Sequence, residues 1–375
     1  MFNSHSTYFH LQLNKELSEM YISLALRTLA LSMIGLFVPL FFINELNYNL
    51  DRVIYYYLAW AVSFGIFSLV IIKFACKFGL KKSIFVSAPL DILSLALLLT
   101  LKSGSVHYLI PAFTLGLANS FYWNSYHLDF AKSSDKKKRG TEVGGMFSIS
   151  LLFSVLGPFL GALILESLGF NSLFFVVSAL LLLSVVPLFF SKDIHEEVEF
   201  KFKDLLHVGD FRSFLGFVGI GIRLTVLTVF WPIFVFLNLS AYLSLGIIFT
   251  GSGLLSSLFT FFIGRMSDKQ DKRKLLRIGA FIHSITFFFR GFVHSFVGLF
   301  FVDIMGSLSG ILADVPTTAL FYDRANKSNR PEYVIYREVG LSAGRIILLL
   351  VVLITGNLVG GFVLGGLGSL LWMLY

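Results

Sequence analysis

The sequence predicts an all-α integral membrane protein of about twelve transmembrane helices in two related halves. Three observations predict it: an apolar composition, apolar runs recurring at membrane-crossing length, and a one-sided distribution of lysine and arginine. The 375 residues are 56% hydrophobic and 14% charged, whereas soluble domains run about 45–50% apolar and about 25% charged. A mean hydropathy of +0.81 makes lipid the main solvent and excludes soluble enzymes, disordered chains and coiled coils. Cys76 is the single cysteine, so an internal disulfide and a zinc–thiolate cluster are both excluded. The polar residues 1–19 lack the basic start and short apolar core of a cleavable leader, and the first apolar stretch is expected to be retained.

About 20 apolar residues span the hydrocarbon. Runs of that size are expected at 20–44, 53–74, 83–101, 106–129, 142–166, 170–190, 213–238, 241–263, 275–293, 296–322, 334–355 and 357–375. Of the 30 Lys and Arg, four lie within spans and only Arg52 and Lys102 lie in the loops that alternate with the basic ones. Cytoplasmic loops carry the Lys/Arg excess, so both termini are expected in the cytoplasm. The net charge of +8 then reports topology, and nucleic acid is not an expected partner. Loops on the other face, such as Gly169-Phe170 and Gly356-Asn357, leave no room for an ectodomain. The polar segment 191–212 divides the chain into 1–190 and 213–375; its His195-Glu196-Glu197 has no second histidine at helical spacing and reads as a solvated linker.

The two halves resemble each other. Val38-Pro39-Leu40-Phe41 is echoed by Trp231-Pro232-Ile233-Phe234, with the prolines 193 positions apart, and Glu142-Val143-Gly144 by Glu338-Val339-Gly340 at 196. The loop from Gly264 through Asp268 to Arg273 and Lys274 resembles the G-x-x-x-D-[RK]-x-G-[RK]-[RK]-[RK] loop of the major facilitator superfamily, with Asp271 at the second glycine. The first-half copy keeps Lys77, Gly79, Lys81 and Lys82 but has Ile72 and Cys76 at the glycine and aspartate. Gly157-Pro158 with Gly161 is similar to the G-P-x-x-G core of drug–proton antiporters in that superfamily. The resemblance implies two pseudo-symmetric six-helix bundles rocking about a midplane site. It also implies a cavity lined by helices 1, 4, 7 and 10, with helices 3, 6, 9 and 12 toward lipid and a gating role for Asp268.

Ionisable residues inside spans are costly and are the default site candidates. Helix 4 places Asn119, Trp123, Tyr126 and His127 on one face, and helix 10 does the same with Asp303, Ser307, Gly310, Asp314 and Thr318. Arg27 and Arg223 sit at comparable depth on helices 1 and 7, where guanidinium forks suit a carboxylate or phosphate. The alternative is neutralisation within the protein. Arg223 and Asp314 differ in level by only about 4–5 Å at 1.5 Å per residue, and Arg345 and Asp303 are similarly level. Asp91 and Arg290 have no evident partner, and an aromatic stripe on a helix also serves simple packing.

With no Walker A loop in the sequence, the expected drive is an ion gradient. A proton is the natural ion, with Asp303, Asp314 and His127 as carriers. The expected function is secondary transport of a small molecule at the plasma membrane by a monomer, with no cofactor and no metal. Lipophilic, drug-like efflux is favoured over transport of an organic anion. An intramembrane lipid-acting enzyme or a sensor on a transporter fold are the readings from other classes.

Overall fold

The computed structural model describes residues 15–134, 138–190, 208–327 and 330–375; the His195-Glu196-Glu197 segment lies outside them. Helices account for nearly all of it, with no strand among the described residues. In chain order α1 is Lys15–Gly35, extended by Val38–Leu40 and Phe41–Glu45; α2 is Leu50–Phe78, α3 Leu80–Thr100 and α4 Leu109–Ser133. One helical run, Arg139–Val185, is broken at Gly169 into α5 (139–168) and α6 (170–185). Then follow α7 (Phe211–Thr225, continued by Val226–Phe230 and Trp231–Leu239), α8 (Tyr242–Lys269), α9 (Lys272–Arg290), α10 (Phe296–Ala325), α11 (Arg330–Thr355) and α12 (Leu358–Trp372).

The turns are fixed by local chemistry. Gly169, at φ 76°, lets α5 reverse into α6 within one residue, a conformation that costs glycine little. Asn49, Asp210, Asp271, Ser295 and Asn357 each accept a hydrogen bond from a first-turn N–H, capping α2, α7, α9, α10 and α12. Pro39 and Pro232 each adjoin a π-helical stretch, Phe41–Glu45 in α1 and Val226–Phe230 in α7. A missing proline N–H loosens the ladder there, and such bulges favour functional positions.

The packing pattern repeats six helices later. The pairs α1 with α5, α2 with α4, and α3 with α4 correspond to α7 with α11, α8 with α10, and α9 with α10. Two antiparallel seams, α5 against α8 and α2 against α11, join these groups. Eight helical segments among the described residues are long and apolar enough to cross a membrane, with Gly140–Phe189 counted as one. The polar-faced α4 and α9 fall outside that set, and α12, with 15 residues, is a shorter apolar helix. Large side chains such as Phe175 (76% exposed) and Ile354 (82%) stand on the outer surface, as a lipid-facing surface requires.

Candidate functional site

Two cavities lie between the helix groups. One, of about 320 Å³, is lined by Trp123, Tyr126 and His127 from α4, Asp314 and Phe321 from α10, and Arg337, Glu338 and Arg345 from α11. The other, of about 410 Å³, is lined by Pro158, Trp231, Ser252, His283, Arg290, Asp303 and Ser307 among others. Arg223 and Asp314 line both, so this pair stands where the two spaces meet.

Three ion pairs use up most of the buried arginines. Arg223 pairs with Asp314, and its guanidinium lies 3.9 Å from the Trp372 ring centroid. The Arg223 side chain is only 3% exposed, whereas the Asp314 side chain keeps 27% open to the cavities. Arg290 lies 3.5 Å from Asp303, a carboxylate that also accepts from Trp231 Nε1 at 2.8 Å and from Ser252 Oγ. Asp303 is thus enclosed by donors, while Asp314 presents an open edge.

The third pair corrects the expectation for Arg27. Arg27 is 2.6 Å from Asp91 of α3 and sits 3.8 Å from the Tyr122 ring centroid. It is 2% exposed and lines neither cavity. Burial in the α1–α3–α4 core, where α3 supplies the countercharge, sets it apart from both cavities. Asn119 likewise stands outside both linings, one turn of α4 away from Trp123. Asp303 meets Arg290 and not Arg345, because α9 packs directly on α10. The peripheral role expected of α9 is corrected too: its Arg290 and His283 face the larger cavity.

Arg345 differs from the other three. It is 8% exposed, and what sets it apart is its countercharge. Among the described residues no carboxylate lies within ion-pair distance of it. Its charge rests instead on Trp60 and Phe64 of α2, each ring centroid 4.9 Å away. Sequence reading missed Trp60, Phe64 and Ser252; aromatic and hydroxyl residues on apolar helices carry no signal until the seams are known.

Both ends of the cavities are closed by contacts between the groups. At the end bearing the basic loops, Thr141 N donates to Asp268 Oδ2 at 2.8 Å and Thr141 Oγ1 donates to the same oxygen. Asp268 therefore complements the N-terminus of α5 from across the seam. Gly264 lies against Gly144, where a Cβ on either would fall within about 3.1 Å of the other's Cα. Arg273 and Lys274 occupy the first turn of α9, which Asp271 caps through the Arg273 N–H at 2.9 Å. At the opposite end Asn44 Nδ2 donates to Tyr242 Oη at 2.9 Å, and Leu243 N to Glu166 Oε1 at 3.2 Å. Gly157 and Gly161 let α1 press on α5: a Cβ on Gly161 would stand 2.1 Å from Met33 O. Pro158 between them faces the larger cavity.

Comparison with known proteins agrees with this architecture. The human organic anion transporter MFSD10 (TETRAN) superposes with a TM-score of 0.71 at 13% identity, covering 96% of this chain and 99% of that one. The MFS transporter FucP in the outward conformation gives 0.70 at 12% identity, covering 96% and 98%. The Escherichia coli fucose:proton symporter FucP (a variant) gives 0.68 at 12% identity, covering 95% and 96%. In sequence, the Bacillus subtilis (strain 168) protein named uncharacterized protein YqgE is 25% identical over 329 residues, 82% of this chain and 74% of that protein. The sequence profile of the Major Facilitator Superfamily matches residues 20–213, just over half of the chain. With that match on top of the fold and the paired cavities, the chain belongs to the Major Facilitator Superfamily and is a multi-pass membrane transporter.

Proposed function

We propose that this transporter moves an amphipathic organic anion by alternating access, coupled to protons. The observation that carries the reading is Arg345, a buried guanidinium in an aromatic-walled cavity with no carboxylate within ion-pair distance among the described residues. Leaving a charge so placed is costly unless a countercharge arrives. A substrate carboxylate or sulfonate supplies it, and Trp123, Tyr126 and Phe321 offer surface for an aromatic body. That human MFSD10, among the structural neighbours, is an organic anion transporter supports this choice.

Asp314 is the proton carrier in this scheme, since it keeps an open edge while Asp303 is enclosed by donors. The fucose:proton symporter among the structural neighbours supports the choice of ion. The scheme also carries two six-helix halves, 1–190 and 213–375, joined by 191–212, with twelve spans and both ends cytoplasmic in the plasma membrane. A monomer suffices, because both cavities lie within one chain.

A second reading, efflux of a neutral lipophilic compound, is favoured by the Leu36, Leu151, Leu227 and Phe249 walls of the larger cavity. Proteoliposomes under an imposed pH gradient separate the two. We expect uptake of an aromatic carboxylate, lost by roughly tenfold or more in Arg345→Gln, in keeping with the 1.5–3 kcal/mol of a charge-assisted bond. Equal flux of the matching neutral amide, unaffected by Arg345→Gln, favours lipophilic efflux and overturns the anion.

A further inference from the structure

We propose that His127 is a proton-operated switch on Arg337 that sets access to the smaller cavity from the basic end. The proposal rests on the transport reading above and adds the regulation of that same site.

His127 is 4% exposed and stands where α4 meets α10 and α11. Arg337 Nη1 is 2.9 Å from its Nε2, and Tyr322 Oη is 2.9 Å from its Nδ1. A guanidinium can only donate, so Nε2 must offer a lone pair. The ring in this arrangement is therefore neutral, with its proton on Nδ1 donating to Tyr322. Trp123 stacks on the ring and Phe321 meets it edge-on, each at 5.5 Å between centroids, which fixes the ring plane.

The charged and titratable groups that face His127 are Tyr322 from α10, Arg337 and Glu338 from α11, and Tyr126 from its own helix. Arg223, Asp314 and Arg345 line the same cavity beyond them. Glu338 Oε1 lies 4.0 Å from Nε2 and at present accepts from Arg337.

A proton added at Nε2 turns the acceptor into a donor. Imidazolium and guanidinium N–H groups would then point at each other with like charge. Two N–H donors cannot keep a 2.9 Å contact, even with Glu338 beside both, and the ring is held in place while Arg337 is not. The Arg337 side chain is 21% exposed, so it has a route to water, and a long cationic side chain readily takes one. The proton stays on Nε2 and bonds to Glu338; Arg337 leaves the cavity mouth. Asn326 Nδ2, bonded to Ala131 O at 2.8 Å one turn of α4 further along, keeps the two groups in register while the mouth changes.

The test uses the full chain in nanodiscs with Cys76→Ser and a reporter at Ser150→Cys, a lining position of the cavity. The readout is alkylation by a bulky charged maleimide, normalised to an exposed Lys327→Cys control to remove intrinsic thiol ionisation. As the pH is lowered from about 8 to about 4 the normalised rate should rise roughly tenfold. His127→Gln should be slow and flat across that range, and Arg337→Gln fast and flat. A flat profile without the His127 change, or a pH dependence that survives His127→Gln, overturns the switch. If either occurs while Arg345-dependent anion uptake persists, the switch alone falls. If anion uptake is absent while the profile behaves as expected, the transport reading falls and the switch stands.

Discussion

Within the membrane interior, four arginines have four different surroundings, and their roles follow from what sits opposite each. Arg27 and Arg290 face Asp91 and Asp303 across helix contacts. Removing one partner of such a pair strands the other at an expected cost of about 3–5 kcal/mol. Arg27→Gln should therefore lower thermal stability in detergent while leaving substrate affinity unchanged in the protein that survives. At the Arg223–Asp314 pair, Arg223→Gln and Asp314→Asn should each damage folding, and the double variant should recover much of the loss. Thermal unfolding of all four forms measures the coupling, and additive losses would make the residues independent. The inward faces of α4 and α10 were legible in the sequence because helical spacing alone aligns Trp123 with His127 and Asp303 with Asp314. The partners of Arg27 and Arg290 were not, since Asp91 lies 64 positions from Arg27 and only helix packing brings them together.

At the scale of the helix, close approach and capping decide which segments hold together and which ones move. Gly161 belongs to the first kind: a Cβ there would meet Met33 O at 2.1 Å. Gly161→Ala should force α1 and α5 apart and cost about 1–3 kcal/mol, as overpacked sites do, visible as a lower Tm. Asp268 belongs to the second kind. Asp268→Asn weakens the link to Thr141 at one end only, so flux should fall much more than ligand affinity; equal loss of both would reduce the loop to a solvated turn. Asp210, outside the membrane at the start of α7, has its carboxyl held below the ordinary range by hydrogen bonds from Ser213. A depressed value means the cap's contribution is complete above the ordinary aspartate pKa and is lost as pH falls through the depressed one. Asp210→Ala should thus cost about 1 kcal/mol near neutrality, with the difference in Tm closing in strong acid. Helix existence was readable from apolar run length, and turns from Gly169 and Gly356. The π-helical stretches beside Pro39 and Pro232 were not, because a proline signals an interrupted ladder without saying how the backbone absorbs it.

For the whole molecule, the duplicated motifs anticipated a repeated packing pattern, but not how the cavities are closed. Contacts across the seams bridge both ends, Asn44 with Tyr242 among those at one and Thr141 with Asp268 among those at the other. Alternating access requires each of these ends to part in turn. Cysteine pairs can hold them shut one at a time in a Cys76→Ser background, with Thr141→Cys and Asp268→Cys at the basic end and Asn44→Cys and Tyr242→Cys at the other. The most direct measurement is proteoliposome flux of an aromatic carboxylate through each oxidised pair, before and after reduction. The account predicts that either cross-link alone stops flux and that reduction restores it. Undiminished flux with either end locked would contradict it.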